Sequence, residues 1–298
     1  MNKLTELQIG MLYALGAYLI WGIAPLYFKH LGFIPVYEIL AHRVIWSVVV
    51  TALFITYLKD WTNVLIVCRS YKSLSMLVIT SLLISINWMV FIWAINNGKM
   101  LEASLGYFIN PIVNVMLGLI FLSECLSRLK WFAVFLAFVG VAVQAWQLGE
   151  LPWVSLILPF SFGFYGLLRK KVKVKAITGL FIETMVVLPI AILYLTIMTQ
   201  SETANLFHNT LSLNIWLVLA GVVTAVPLIF FGQAALRLPL TTLGFFQYLA
   251  PSLLFVFAVL LYDEPISIIK LFTFACIWSG ILVFMFENKL IRWFKKSI

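Results

Sequence analysis

Three ionisable side chains stand close together in YEILAHRVIW, residues 37–46: Glu38, His42 and Arg43. Glutamate and histidine can carry protons, and a guanidinium offers a planar fork to a carboxylate or phosphate. On a helix, Glu38, His42, Trp46 and Arg43 share a sector of about 140°. Arg43 would lie about 7–8 Å deeper than Glu38 at 1.5 Å per residue. These are the residue types of a proton or substrate pathway. The alternative is local: Glu38 pairs with His42 one turn on, and Arg43 snorkels outward.

The segment sits in an apolar run, and the composition says what surrounds it. Of 298 residues, 63% are hydrophobic and 10% charged. A soluble chain carries roughly a quarter charged residues, so lipid must solvate most of this one. The three cysteines, Cys68, Cys125 and Cys276, are scattered and show no metal-ligand or disulfide spacing. No HExxH, GxSxG or GxxxxGK[ST] pattern occurs, which points away from an enzyme and from ATP as energy source. No cofactor or metal is expected.

A spanning helix needs about 20 mainly apolar residues. Such runs occur at 9–28, 36–58, 74–96, 101–122, 130–147, 151–168, 177–198, 214–236, 241–262 and 270–287. MNKLTELQ is charge-balanced and no cleavage site follows it, so the first run reads as a span rather than a leader. Sixteen of the 20 Lys and Arg fall on the N-terminal side of these spans, including the loop RKKVKVK. Only Lys29, Lys99 and Lys270 fall on the other, and Arg43 lies within a span. Both termini are therefore expected in the cytoplasm. The net charge of +9 then marks a membrane face and not a nucleic-acid surface.

The two halves repeat. A shift of 140 residues places Phe91 on Phe231, Pro111 on Pro251, Glu124 on Glu264, Lys130 on Lys270 and Gly140 on Gly280. Five spans per half make the second copy enter from the opposite face, an arrangement found in secondary transporters. The expected organisation is an all-α membrane protein with repeats at 8–148 and 151–287 and a basic cytoplasmic tail at 288–298. Glu183 of the seventh span aligns with Glu38 once a gap is allowed, and enters from the cytoplasmic side.

Six of the ten prolines lie within spans: Pro25, Pro111, Pro159, Pro189, Pro227 and Pro251. Kinks of this kind persist in lipid where neighbours or cavity water satisfy the freed carbonyls. The kinked helices are expected to line a cavity, with the fifth and tenth peripheral. Candidate substrate-binding residues are Arg43, His42, Asn87, Trp88, Tyr107, Asn110, Asn114, Tyr165, Gln233, Gln247 and Tyr248. The Asn and Gln residues serve equally well as interhelical hydrogen-bond partners. Glu38, His42 and Glu183 are the candidates for proton coupling, and passive facilitation remains open beside it.

Several of these stretches resemble the RarD branch of the drug/metabolite transporter superfamily, whose members contain two EamA repeats. They include AYLIWGIAPLYFKHLG, EILAHRVIWS, LGYFINPIVNVMLGLIFLSECLSRLKWFAVFLAFVGV and LPWVSLILPFSFGFYGLLRKKV, and finally RLPLTTLGFFQYLAPSLLFVFAVLLYDEPIS. The resemblance implies an inner-membrane permease of ten helices in inverted five-helix repeats around a central cavity. That branch is customarily labelled chloramphenicol-sensitive or chloramphenicol-resistance permease, and related members export amino acids and other metabolites. The expected partners are a small-molecule substrate and the lipid bilayer, with no nucleic acid, and the expected unit is a monomer. A channel and a non-transporting scaffold are the rival readings.

Overall fold

The computed structural model describes residues 4–97, 99–148, 153–198, 201–204, 206–262 and 268–296. Its α-helices are α1 (Glu6–Lys29), α2 (Val36–Tyr57), α3 (Trp61–Arg69), α4 (Tyr71–Asn96), α5 (Met100–Leu122), α6 (Arg128–Leu148), α7 (Trp153–Val172), α8 (Ala176–Leu193), α9 (Leu211–Arg237), α10 (Leu240–Gln247), α11 (Leu249–Tyr262) and α12 (Ile268–Lys296). Among the described residues there is no strand, as the 20-residue apolar runs predict.

Nine stretches of the described chain are long and apolar enough to cross a membrane. They coincide with nine of the ten expected runs. The remaining one, 151–168, is the helix α7, but Arg169, Lys170 and Lys171 in its last turn keep it outside that set. Of the six span prolines, only Pro251 accompanies an interruption, at Tyr248 between α10 and α11. A proline cannot donate to the carbonyl four residues earlier, here that of Gln247, where α10 ends. The span spacing predicts a connection over 59–73; α3 occupies most of it, too short to cross and anchored by Val64 on Ile55, Leu77, Val174 and Ile182.

Local signals explain several helix ends. At α1, Thr5 Oγ1 accepts from the Gln8 N–H while Gln8 Oε1 accepts from the Thr5 N–H, a reciprocal capping box. Thr210 caps α9 with a single bond, its Oγ1 accepting from the Leu213 N–H. At the end of α5, Ser123 takes the left-handed conformation (φ 52°) and Glu124 then turns back toward α10.

The chain forms two compact units, each drawn from both halves of the sequence. Unit 1 is Met1–Ile92 with Phe164–Leu238 and contains α1–α3, most of α4, the end of α7, α8 and α9. In it α9 packs along α1 and α2, and α8 along α2. Close approach is possible at Gly221, where a Cβ would collide with the Trp46 backbone. Basic residues gather at one end of this unit: Arg237 pairs with Glu6, Lys175 with Asp60, and Lys170 donates to the carbonyls of Ala235 and Leu238.

Unit 2 is Trp93–Gly163 with Pro239–Ile298. Here α6 and α12, neither of which contains a proline, pack on each other through paired glycines. A Cβ on Gly140 would lie 2.9 Å from the Thr273 carbonyl oxygen, and one on Gly280 would lie 2.8 Å from that of Ala133. Around them Leu105, Phe108, Ala137, Phe245, Tyr248, Phe274 and Ile277 form an aromatic-rich core.

A candidate translocation site in the interior of unit 1

Arg43 stands seven residues into α2, about 10 Å along the helix. Its guanidinium carbon lies 4.9 Å from the Trp88 ring centroid and 5.4 Å from that of Phe28, and its Nε donates to Thr224 Oγ1 at 2.8 Å. Thr224 in turn donates to the Ala220 carbonyl of its own helix. The cation is thus held face-on to aromatic rings from α4 and α1 and tied to α9.

Glu38 and His42 do not form the local pair considered above. Glu38 is fully buried, and its Oε1 accepts from Thr203 Oγ1 at 2.7 Å, so the short segment Ser201–Ala204 covers the start of α2. Ser201 bonds Thr203 in turn. His42 is 2% exposed, and neither ring nitrogen has a hydrogen-bond partner among the described residues. A buried imidazole without a partner is an uncommon thing to keep in a bundle interior.

Glu183, also 2% exposed, lies in α8 and is held from three sides. Thr80 Oγ1 donates to its Oε1 at 2.6 Å, the Tyr165 hydroxyl to its Oε2 at 3.3 Å, and Arg169 Nη1 approaches Oε1 at 3.6 Å. Ser81 fixes the backbone by donating to the Glu183 carbonyl at 2.8 Å. The cation beside Glu183 is therefore Arg169 of α7, a residue that sequence reading assigned to a solvated basic loop.

A cavity of about 10 Å³ lies between these groups, lined by Trp88, Tyr165, Glu183 and Thr184 with Val44, Ile84, Leu180, Val187 and Leu228. That is room for about one water molecule. Trp88 carries Arg43 against it, and Thr80 and Trp88, eight residues apart on α4, stand about 12 Å from each other along that helix. A wider pocket of about 280 Å³ opens at the basic end of the unit, between Ile55, Leu58, Asp60, Lys175, Ile177 and Gln233. Hydrogen bonds from Lys175 and Asn63 hold the Asp60 carboxyl below the usual carboxylate range.

The structure thus gathers Arg43, His42, Trp88, Tyr165, Glu38 and Glu183 in unit 1, with Asn87 buried on α4 beside Trp88. Gln233 belongs to the wider pocket and accepts from Arg237. Asn110, Asn114, Gln247 and Tyr248 lie in unit 2: Asn114 Nδ2 donates to Gln247 Oε1 at 2.6 Å, and Tyr248 donates to the Phe108 carbonyl. Tyr107, in the same unit, is 42% exposed. Sequence reasoning missed Arg169, Thr80 and Thr203, and the contact made by Glu124. The last caps α10, its two carboxylate oxygens accepting from the N–H groups of Leu240 and Thr241 at 2.6 and 2.9 Å.

Comparison with known proteins identifies the family. A model of the EamA-like transporter family matches residues 8–146. Protein RarD of Escherichia coli (strain K12) is 50% identical over 278 residues, spanning 93% of this chain and 94% of that protein. An uncharacterized transporter of Vibrio cholerae is 51% identical over 279 residues, with 94% and 92% covered. A crystal structure 17% identical in sequence superposes with a TM-score of 0.72 over 92% of this chain and 96% of its own, a likeness of fold alone. With half of its residues shared over nearly the whole length of such relatives, the chain belongs to the RarD group of EamA-like transporters and is a multi-pass membrane transporter of the bacterial inner membrane.

Proposed function

We propose that the chain is a permease that moves a small metabolite or drug-like molecule by alternating access through the interior of unit 1. The observation that carries this reading is the cavity walled by Glu183 and Tyr165 on one side and by the Arg43-bearing Trp88 on the other. Charged groups inside a span cost roughly 2.5–3.5 kcal/mol on insertion scales and are retained where they meet a substrate or an ion. A guanidinium over aromatic rings suits a flat, partly apolar solute such as an aromatic or amino-acid-related compound. The drug label that goes with the RarD resemblance fits the same description. Asn87 on α4 and Gln233 of the wider pocket are proposed to add hydrogen bonds in unit 1, and Tyr107, Asn110, Asn114, Gln247 and Tyr248 are proposed as substrate contacts within unit 2 taken by itself. Glu38, His42 and Glu183 are the proposed proton carriers. The narrowness of the cavity favours gated access over passive facilitation through an open channel.

The proposed architecture is ten spans in two inverted five-helix repeats, 8–148 and 151–287, with both termini and the basic tail 288–298 cytoplasmic and the chain acting as a monomer. Contacts that exchange under the 140-residue shift support it. Gly140 meets Thr273 while Gly280 meets Ala133, and each pair maps onto the other, as a two-fold axis requires. In unit 1, Ser47 donates to Gly221 and Ser81 to Glu183, and Ser81 and Gly221 are again 140 apart. Ser47 and Glu183, the other ends of these two contacts, are 136 apart, so the exchange there needs a four-residue gap. The test is uptake into proteoliposomes with and without an imposed pH gradient. The reading requires flux of some aromatic or amino-acid-like solute that Arg43→Ala abolishes; no flux of any candidate, or wild-type flux in Arg43→Ala, would sink it.

A further inference from the structure

Arg169 follows the run SFGFYGLL and opens the basic stretch RKKVKVK, yet it is only 2% exposed. Two glycines make its room. A Cβ on Gly179 of α8 would collide with the guanidinium, and a Cβ on Gly232 of α9 would lie 3.2 Å from Nη2. Nη2 donates to the Ala176 carbonyl at 3.2 Å, and Nη1 faces Glu183. Glutamate side chains on a helix lean toward its N-terminus, which brings the Glu183 carboxylate down over the turn that Gly179 leaves open.

The position of this pair relates the two hollows of unit 1. Glu183 and Tyr165 wall the small cavity. Lys175 and Ile177 flank Ala176, and Gln233 follows Gly232; all three wall the wide pocket. Arg169 thus touches a wall of the cavity on one side and the backbone behind the pocket on the other. We propose that the Arg169–Glu183 pair is the plug between cavity and pocket, and that withdrawal of Arg169 joins them into one path. This rests on the reading of the unit 1 interior as the route of transport. It makes Arg169 a positioning residue for that transport.

Energetics favour a moving part over a static brace. A buried ion pair adds little stability beyond what an apolar pair of similar size would give, because desolvation offsets the attraction. The two partners are also held unequally. Glu183 keeps the Thr80 and Tyr165 hydroxyls if the arginine leaves. Arg169 Nε and Nη1 have no hydrogen-bond partner among the described residues, and the ion-pair distance is long. The arginine is therefore the half that moves, and Asp60 on the pocket wall offers a carboxylate toward which it can swing.

Thiol labelling tests this without any substrate. Cys68, Cys125 and Cys276 are first replaced by serine, and Thr184→Cys places a reporter on the cavity wall. A charged, membrane-impermeant methanethiosulfonate is then applied to membrane vesicles of either sidedness. The unmodified plug should label slowly. Arg169→Gln and Glu183→Gln should each raise the rate at least tenfold from the Asp60–Lys175 side only, and the exchanged pair Arg169→Glu with Glu183→Arg should restore slow labelling. Gly232→Ala, which crowds Nη2 without removing charge, should raise it several-fold and decides the matter if Arg169→Gln fails to fold. Rates within twofold of the parent, or an equal rise from both sides, would overturn the plug. Because labelling needs no flux, an absent transport activity would leave this result standing, and a failed plug would leave transport standing.

Discussion

In unit 1, Glu38, His42, Arg169 and Glu183 are all buried to 2% exposure or less, and Arg43 lies against aromatic rings. Among the described residues of unit 2 the charged groups pair near helix starts or along a helix flank instead: Lys99 with Glu102 in the first turn of α5, Lys130 with Glu287 of α12, and Glu124 on the first N–H groups of α10. The interior of unit 2 is filled by glycine-mediated helix contacts, aromatic rings and one amide pair. Such packing holds membrane helices together without buried ions. Among its described residues unit 2 buries one charged side chain, Glu102, at the start of a helix beside its partner Lys99, and the charges deep in unit 1 call for a reason other than cohesion.

The largest expected effect tests that contrast directly. Arg169→Ala strands a carboxylate and Glu183→Ala strands a guanidinium, and each should destabilise the protein by about 3–5 kcal/mol. Replacing both by methionine should recover most of that loss in a denaturant titration while leaving transport abolished. Recovery of both stability and transport would reduce the pair to a structural element. Next in size are the glycines of unit 2. Gly140→Ala and Gly280→Ala should each cost about 1–3 kcal/mol by overpacking against the facing backbone, and by nearly equal amounts if the two contacts are equivalent. Markedly unequal costs in matched thermal scans would speak against that equivalence.

How much of this contrast was legible in the sequence depends on the range of the contacts. The spans were readable because a 20-residue apolar run is a local property, and Arg43 was noticed because it interrupts one. Arg169 was not, since nothing within RKKVKVK separates it from Lys170 or Lys171; its burial is decided by Gly179, Glu183 and Gly232 on other helices. The cap on Glu38 was hidden for the same reason, with Thr203 lying 165 residues away. The helix α3 went unseen because nine residues leave too short a pattern. Glu124 stood out as half of a repeated pair, yet its role on α10 needed a contact 116 residues distant.

The amide pair of unit 2 sharpens the comparison at lower energy. Asn114 and Gln247 share one hydrogen bond, leaving Asn114 Oδ1 and Gln247 Nε2 buried without hydrogen-bond partners among the described residues. If the pair only joins helices, a double-mutant cycle with alanine should return about 0.6–1.7 kcal/mol of coupling and leave transport per folded molecule unchanged. Loss of transport at near-native stability in Asn114→Ala would instead give the pair a part in transport itself.

The smallest effect belongs to Asp60–Lys175, the one carboxylate pair whose proton linkage can be followed outside the spans. Lys175 and Asn63 lower the Asp60 carboxyl in the folded state, so folding is helped wherever that group is ionised. The contribution is fully present above its unfolded value, near 3.9, and is lost as pH falls toward the lower folded value. Lys175 is 63% exposed on its side chain, so water and salt screen the pair and the whole effect should stay below about 1 kcal/mol. Thermal scans between pH 6 and pH 3 should show a small drop in midpoint that Asp60→Asn removes and that 0.5 M salt diminishes. An Asp60→Asn protein that keeps the full drop would place the acid sensitivity elsewhere, with the buried carboxylates of unit 1 the next groups to vary.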